Sequence, residues 1–228
     1  MKSKIIVFAN QKGGVGKSTL CMMFANYLGK LGHPVAVIDA DIQQTVYQYR
    51  QYELEFCNKT NDDAPWDVMW LDTRDRQNIE SALEAARSFP GFVLVDAPGN
   101  VTDDNTLPLY YNADYIICPT SYDPKVVFST AMFGKLMKKM KGALDKEGIK
   151  SNLKRIFFLP NQIDSRIGSK EEQQKRREAT KAMLQEYGLL VARINYRSSI
   201  HHASTLEFTE HQHAAIQFPF GYILEKIK

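Results

Sequence analysis

The stretch that most restricts the fold is "IIVFANQKGGVGKST", residues 5–19, in which a short apolar run passes through three glycines and two lysines into "LCMMFANYLGKLG", which has helical spacing. A strand that turns directly into a helix leaves the first backbone N–H groups of that helix unpaired, and the helix dipole adds positive potential there. Such a junction is an anion site, and phosphate is its natural occupant. Gly13, Gly14 and Gly16 let the backbone curl round phosphate oxygens without a Cβ; Lys17 suits the β and γ oxygens, Ser18 a Mg²⁺ ion, and Thr19 the α-phosphate. Two other glycine patterns fail. The dinucleotide fingerprint G-x-G-x-x-G needs a glycine where Thr19 stands, and the ordinary phosphate loop G-x-x-x-x-G-K-[ST] needs one at Gln11.

Periodicity extends this start into a repeating pattern. "KIIVFAN" reads as a strand, 17–31 as a helix and "PVAVIDA" as a second strand; then follow "WDVMWLD" strand, 75–89 helix, "FVLVDAP" strand, 104–112 helix, "ADYIICPT" strand, 125–145 helix, "LKRIFFLPN" strand, 169–187 helix and "LLVARIN" strand. Strands that are apolar throughout and alternate with helices predict a doubly wound α/β fold, a mostly parallel twisted sheet covered on both faces. The C-terminal stretch "EHQHAAIQFPFGYILEKIK" reads as helical at both ends and broken at Pro219. At 228 residues and 44% hydrophobic composition, the expectation is one domain over 1–228. No apolar run is long enough for a signal-peptide core or a membrane span, which predicts a cytoplasmic protein. Cys21, Cys57 and Cys118 lie apart with no C-x-x-C, so buried free thiols are expected.

Two acidic stretches follow predicted strands. In "DADIQQ", Asp39 and Asp41 share one side of an extended chain at the carboxyl edge of the sheet, where one of them can face a γ-phosphate. In "FVLVDAPG", Asp96 closes a wholly apolar strand in the manner of an aspartate that holds Mg²⁺ through water, and Ala97, Pro98 and Gly99 supply a turn that can sense the γ-phosphate. A third element, "LPNQID", places Asn161 and Asp164 at a strand end in the spacing of a guanine-reading N-K-x-D, but with Gln162 in place of the lysine.

With its opening Lys12, "KGGVGKST" resembles the deviant phosphate loop of the ParA/MinD superfamily of ATPases. The resemblance is strong over residues 5–45 and 91–120 and loose after 165. It implies an ATP-sandwich homodimer in which Lys12 reaches the partner's nucleotide. It also implies that Asp41 orients the attacking water, that Asp39 joins Ser18 and Asp96 around Mg²⁺, and that Asn161 contacts adenine. The family's D-x-D-P-Q here has Ile42 for proline, which leaves the conformation of that loop open. With no helix-turn-helix segment before the loop, the short ParA form is expected, together with a ParB-like activating partner.

The net charge of +3 conceals an asymmetry: residues 1–134 hold 11 Lys/Arg against 16 Asp/Glu, and 135–228 hold 18 against 10. Lys135, Lys138, Lys139 and Lys141 fall within two helical turns, and such cations hold DNA phosphates without sequence preference. "RINYRSSIHHASTLEF" resembles a ParA segment in which an arginine contributes to DNA binding, and Arg197 is the matching position. This favours a nucleoid-associated partition ATPase. The rival is a MinD-like membrane cycle, which needs an amphipathic tail; Tyr222, Ile223, Leu224 and Ile227 beside Lys226 and Lys228 offer a short one, for which packing on the core is the preferred reading. An iron–sulfur carrier would need paired interface cysteines, and a biotin-pathway ligase a substrate site that the sequence does not display; His211 and His213 read as surface histidines.

Overall fold

A computed structural model of the chain describes residues 3–101, 103–164 and 166–227. In chain order the elements are β1 (Lys4–Phe8), α1 (Lys17–Lys30), β2 (Val35–Asp39), α2 (Thr45–Phe56), β3 (Asp67–Trp70), α3 (Arg76–Ala86), β4 (Phe92–Asp96), α4 (Leu107–Tyr111), β5 (Tyr115–Thr120), α5 (Pro124–Lys146), β6 (Arg155–Pro160), α6 (Lys170–Leu184), β7 (Leu189–Leu190), α7 (Ser198–His201) and α8 (Glu210–Ile227). All strands are parallel, in the order β3-β2-β4-β1-β5-β6-β7. The chain runs outward from β1 in one direction through β2 and β3, returns through β4, and crosses β1 to build β5, β6 and β7. Such a reversal opens a crevice at the carboxyl ends of the strands, where ligands bind in open α/β sheets.

The central strands are buried on both faces, which is why they carry no polar alternation. Ile6 and Phe8 point into a core layer with α1 and α8, whereas Ile5 and Val7 point into the opposite layer with α3 and α5. Helix α1 is buried over the whole stretch from Leu20 to Leu28 because it lies between the sheet and α8.

The structure departs from the sequence reading at several places. Helix α2 was not anticipated, because its buried positions, Val46, Arg50 and Leu54, include a charged residue that interrupts the apolar period. Helix α8 is continuous through Pro219 instead of broken there. A proline inside a helix costs about 3 kcal/mol, but Ile216, Phe220, Ile223, Leu224 and Ile227 are all buried beside α1, each worth about 1.5–3 kcal/mol. Phe220 stands edge-on to Phe24 at a ring-centroid distance of 4.7 Å, so packing outweighs the lost hydrogen bond. The seventh strand is only Leu189–Leu190; after the Val191 N–H donates to Phe158, the chain touches the sheet again through an isolated bridge between Ile163 and Asn195. Cys21 and Cys118 are buried, but Cys57 is exposed at the end of α2.

The tail residues Ile223, Leu224 and Ile227 belong to the core, and Lys228 lies outside the described residues. No helix among the described residues is long and apolar enough to cross a membrane. His213 is half-buried and stacked on Tyr27 at 5.8 Å between ring centroids, whereas His211 is exposed.

Candidate functional site

The register brings the acidic residues together. Asp39 at the end of β2 and Phe8 at the end of β1 both pair with Asp96 on β4, so the two aspartates are lateral neighbours beside the strand that feeds the glycine loop. Gly14 and Gly16 take positive φ, 75° and 92°, which side-chain-bearing residues rarely adopt. A Cβ built on Gly13 or Gly14 would meet nothing within 4 Å, so the exposed backbone there leaves room for a ligand. The loop ends at Gly16, the N-cap of α1, which has no side-chain cap and no acidic residue in its first turn. The positive end of α1 is therefore left to an external anion. Lys17 joins it, its ammonium close to Gly99 in the turn after β4.

Asp96 is fully buried, and among the described residues neither carboxylate oxygen has a hydrogen-bond partner. Burial pushes its pKa up to about 7 and the Asp39 and Asp41 carboxylates push the same way, while the nearby Ser18 hydroxyl and Lys17 ammonium favour the charged form. Ser18 is thus near enough to be felt although its geometry falls short of a hydrogen bond. An orphaned carboxylate beside Lys17 and Ser18 fits a hydrated Mg²⁺ ion, whose waters carry the missing donors.

Asp39 is equally buried, but its oxygens are already used. One accepts the Asp41 N–H (3.2 Å), and the other accepts the N–H groups of Val46 (2.8 Å) and Tyr47 (3.0 Å). The carboxylate thereby caps α2, whose formal N-cap, Gln44, makes no side-chain capping bond. Burial raises the Asp39 pKa, and these three N–H groups oppose the rise. Asp41 is half-buried and closes the next turn by accepting the Gln43 N–H (3.0 Å), so the loop folds tightly with exposed Ile42 where the family has proline.

The loop is braced from two sides by residues that motif reading passed over or assigned differently. Asn10, fully buried, donates to the Pro119 carbonyl (2.7 Å) and the Thr130 hydroxyl (2.9 Å) and accepts the Lys12 N–H (3.1 Å), tying the loop to β5 and α5. Thr130 donates to Val126 and receives the Thr120 hydroxyl at 3.0 Å, so the network is fully paired. No motif contains these three residues; the only sequence signal was a polar Asn10 directly after an apolar strand. On the other side, Asn161 donates to the Val15 carbonyl at 3.0 Å, and a Cβ on Gly16 would lie 2.5 Å from its amide nitrogen. Asn161 also lines a narrow cleft with Thr19, Gln162, Tyr196 and Arg197. Asp164 is turned to Arg166 (2.7 Å), which holds its carboxyl near 2.

Lys12 is exposed at the loop's outer side, and among the described residues its ammonium has no partner. The cations first grouped for DNA are separated. Arg197 borders the cleft at the carboxyl edge, whereas the lysines ride on α5 as it descends toward the amino edge, where Lys138 pairs with Glu186 (2.7 Å).

Comparison with known proteins agrees with this geometry. The fold matches a Borrelia burgdorferi B31 protein assigned to plasmid partition and bound to AMPPNP (TM-score 0.71, 17% identity, 100% of both chains). It also matches the MinD cell division protein of Aquifex aeolicus (0.70, 18%, 97% of each chain) and pNOB8 ParA bound to nonspecific DNA (0.65, 18%, 99% of this chain and 97% of that one). In sequence, a 42-residue segment is 50% identical to the chromosome-partitioning ATPase Soj of Thermus thermophilus, a match that spans 18% of this chain and 17% of Soj. Residues 6–205, which contain the glycine loop, all three aspartates and both braces, match the CobQ/CobB/MinD/ParA nucleotide binding domain, and the chain belongs to that family.

Proposed function

We propose that this protein is an ATPase that dimerises around MgATP, holds DNA without sequence preference in that state, and releases it on hydrolysis during segregation of a DNA cargo. The observation that carries the nucleotide half is the open cradle over Gly13 and Gly14, set between an uncapped helix N-terminus and the orphaned Asp96. The AMPPNP on the Borrelia relative and the DNA on pNOB8 ParA support the two halves in turn.

In this reading the N–H groups of residues 13–19 receive the phosphates, Lys17 neutralises their β and γ oxygens, and Thr19 contacts the α-phosphate. Ser18 and Asp96 would hold Mg²⁺, with Asp39 supporting through water while it keeps α2 in place; bound there, the metal supplies charge neutralisation. Asp41 orients the attacking water. Because Asp41 and Asp39 share one turn with the start of α2, the state of the γ-phosphate position is transmitted to that helix. Asn161 fixes the loop through Val15 and, from the same position, is the residue proposed to contact adenine. Lys12 acts on the nucleotide of the second subunit. A ParB-like partner completes the site and raises a slow basal rate.

A membrane cycle is disfavoured because the apolar residues of the tail are committed to α1 and the sheet. The oligomeric state tests the switch: by light scattering, Asp41→Ala should be dimeric with ATP and monomeric with ADP. Lys17→Ala should bind neither nucleotide. Lys12→Ala should bind ATP yet stay monomeric, and an ATP-dependent dimer of that variant would refute the role in trans.

A further inference from the structure

A second ligand site is suggested at the opposite end of the sheet. Lys4 opens β1, Asp114 directly precedes β5 and Lys154 directly precedes β6, and these three strands are neighbours. Together with Arg87, Lys141 and Lys150 they line a half-open cavity of about 720 Å³. Five cations therefore face one carboxylate.

That carboxylate is fully engaged. Asp114, buried at 7% exposure, accepts the Ile5 N–H (2.9 Å), binds the Arg87 guanidinium, and pairs with the Lys154 ammonium at 3.2 Å. Arg87 also donates to the Asn112 carbonyl, and Lys4 donates to the Ile227 carbonyl, so both heads are held in place. Lys154 lies over the Tyr115 ring at 5.4 Å. Among the described residues, Lys141 and Lys150 have no counter-charge, although they border the same space. Gathering like charges round a concavity raises its potential and costs stability, unless an anion of matching charge enters.

We infer that this cavity at the amino edge is a binding site for a phosphate-bearing polyanion, distinct from the glycine loop and independent of the nucleotide state. The two sites lie at opposite ends of β1, whose five residues span roughly 16 Å. Asp114 is a positioning residue that aims Arg87 and Lys154, and Lys141 and Lys150 supply the uncompensated charge. The phosphates can come from nucleic acid or from a free polyphosphate. The volume admits either a length of backbone or a small molecule.

The test uses the full chain carrying Lys17→Ala, so that the glycine loop takes no phosphate, without added nucleotide. A labelled random-sequence duplex and inorganic tripolyphosphate are titrated separately at several salt concentrations. The site predicts saturable binding of at least one probe, and weakening by tenfold or more when Lys141→Ala and Lys150→Ala are added. For the duplex, the log–log salt slope should become shallower by about 2 with those two lysines removed. Binding of the duplex alone identifies nucleic acid as the source, and binding of tripolyphosphate alone identifies the free anion. The control, Lys59→Ala with Lys181→Ala, removes equal charge from exposed positions outside the cavity and should change little. Failure of both probes to bind, or equal weakening by the control pair, overturns the inference. Neither result touches the nucleotide half of the proposed function, which concerns the glycine loop at the other edge.

Discussion

Replacing Gly16 by alanine should harm this protein for two separable reasons. The backbone at Gly16 has φ of 92°, and placing an L side chain in that region costs about 1–2 kcal/mol. The new Cβ would then stand 2.5 Å from the amide nitrogen of Asn161, closer than any van der Waals contact. Asn161 must move, which breaks its 3.0 Å bond to Val15 and leaves a buried carbonyl unpaired, a further cost of about 1–3 kcal/mol. The total, about 2–5 kcal/mol, corresponds to a fall in Tm of roughly 4–20 °C at 2–4 °C per kcal/mol for a chain of this size. Gly14 is the internal control: its φ of 75° is similar, but its Cβ would meet nothing within 4 Å, so Gly14→Ala should incur the backbone cost alone. The assay is a double-mutant cycle by thermal and urea unfolding. In an Asn161→Ala background, Gly16→Ala should lose its clash and cost only about 1–2 kcal/mol, a coupling of about 1–3 kcal/mol. Equal losses for Gly14→Ala and Gly16→Ala, with no coupling to Asn161, would refute the brace.

Other consequences follow from groups buried in or near the site. The folded pKa of Asp96 is raised to about 7, so its ionisation disfavours the fold: without ligand the penalty grows from about pH 4 to about pH 7 and levels off above. Asp96→Asn should therefore raise the Tm of the nucleotide-free protein at pH 8 by several degrees and leave it unchanged at pH 4, as scanning calorimetry at the two pH values can check; a loss of Tm at pH 8 would contradict the orphaned carboxylate. Arg50 is wholly buried and holds α2 by donating to the Thr205 hydroxyl (2.8 Å), the Thr205 carbonyl (2.9 Å) and the Trp66 carbonyl (2.8 Å). Arg50→Met should cost about 3–5 kcal/mol in urea unfolding and speed hydrogen exchange first in α2.

The parts of the fold legible in the sequence were those where local chemistry and global role coincide. β1, β2, β4 and β5 are apolar because helices cover both faces, and Asp96 stood out as a charge closing such a strand. Helix α2 was hidden because its buried stripe runs through Arg50, whose partners Trp66 and Thr205 are distant in sequence. Pro219 misled because a local rule cannot weigh five buried apolar residues against one missing hydrogen bond. In the site, spacing located the glycine loop, and the positive φ of Gly14 and Gly16 lies within it. The capping bonds of Asp39 and the bracing by Asn10 and Asn161 depend on where the fold brings Val46, Thr130 and Val15, which no spacing records.

The most direct test is binding of Asp41→Ala to a random-sequence duplex and, in parallel, to anionic liposomes, each with ATP, ADP or no nucleotide at two salt concentrations. The account predicts that ATP alone raises duplex affinity above the nucleotide-free level, that salt weakens the gain, and that liposomes capture nothing. Duplex affinity indifferent to ATP, with ATP-dependent capture on liposomes, would contradict it and reassign the protein to a membrane cycle.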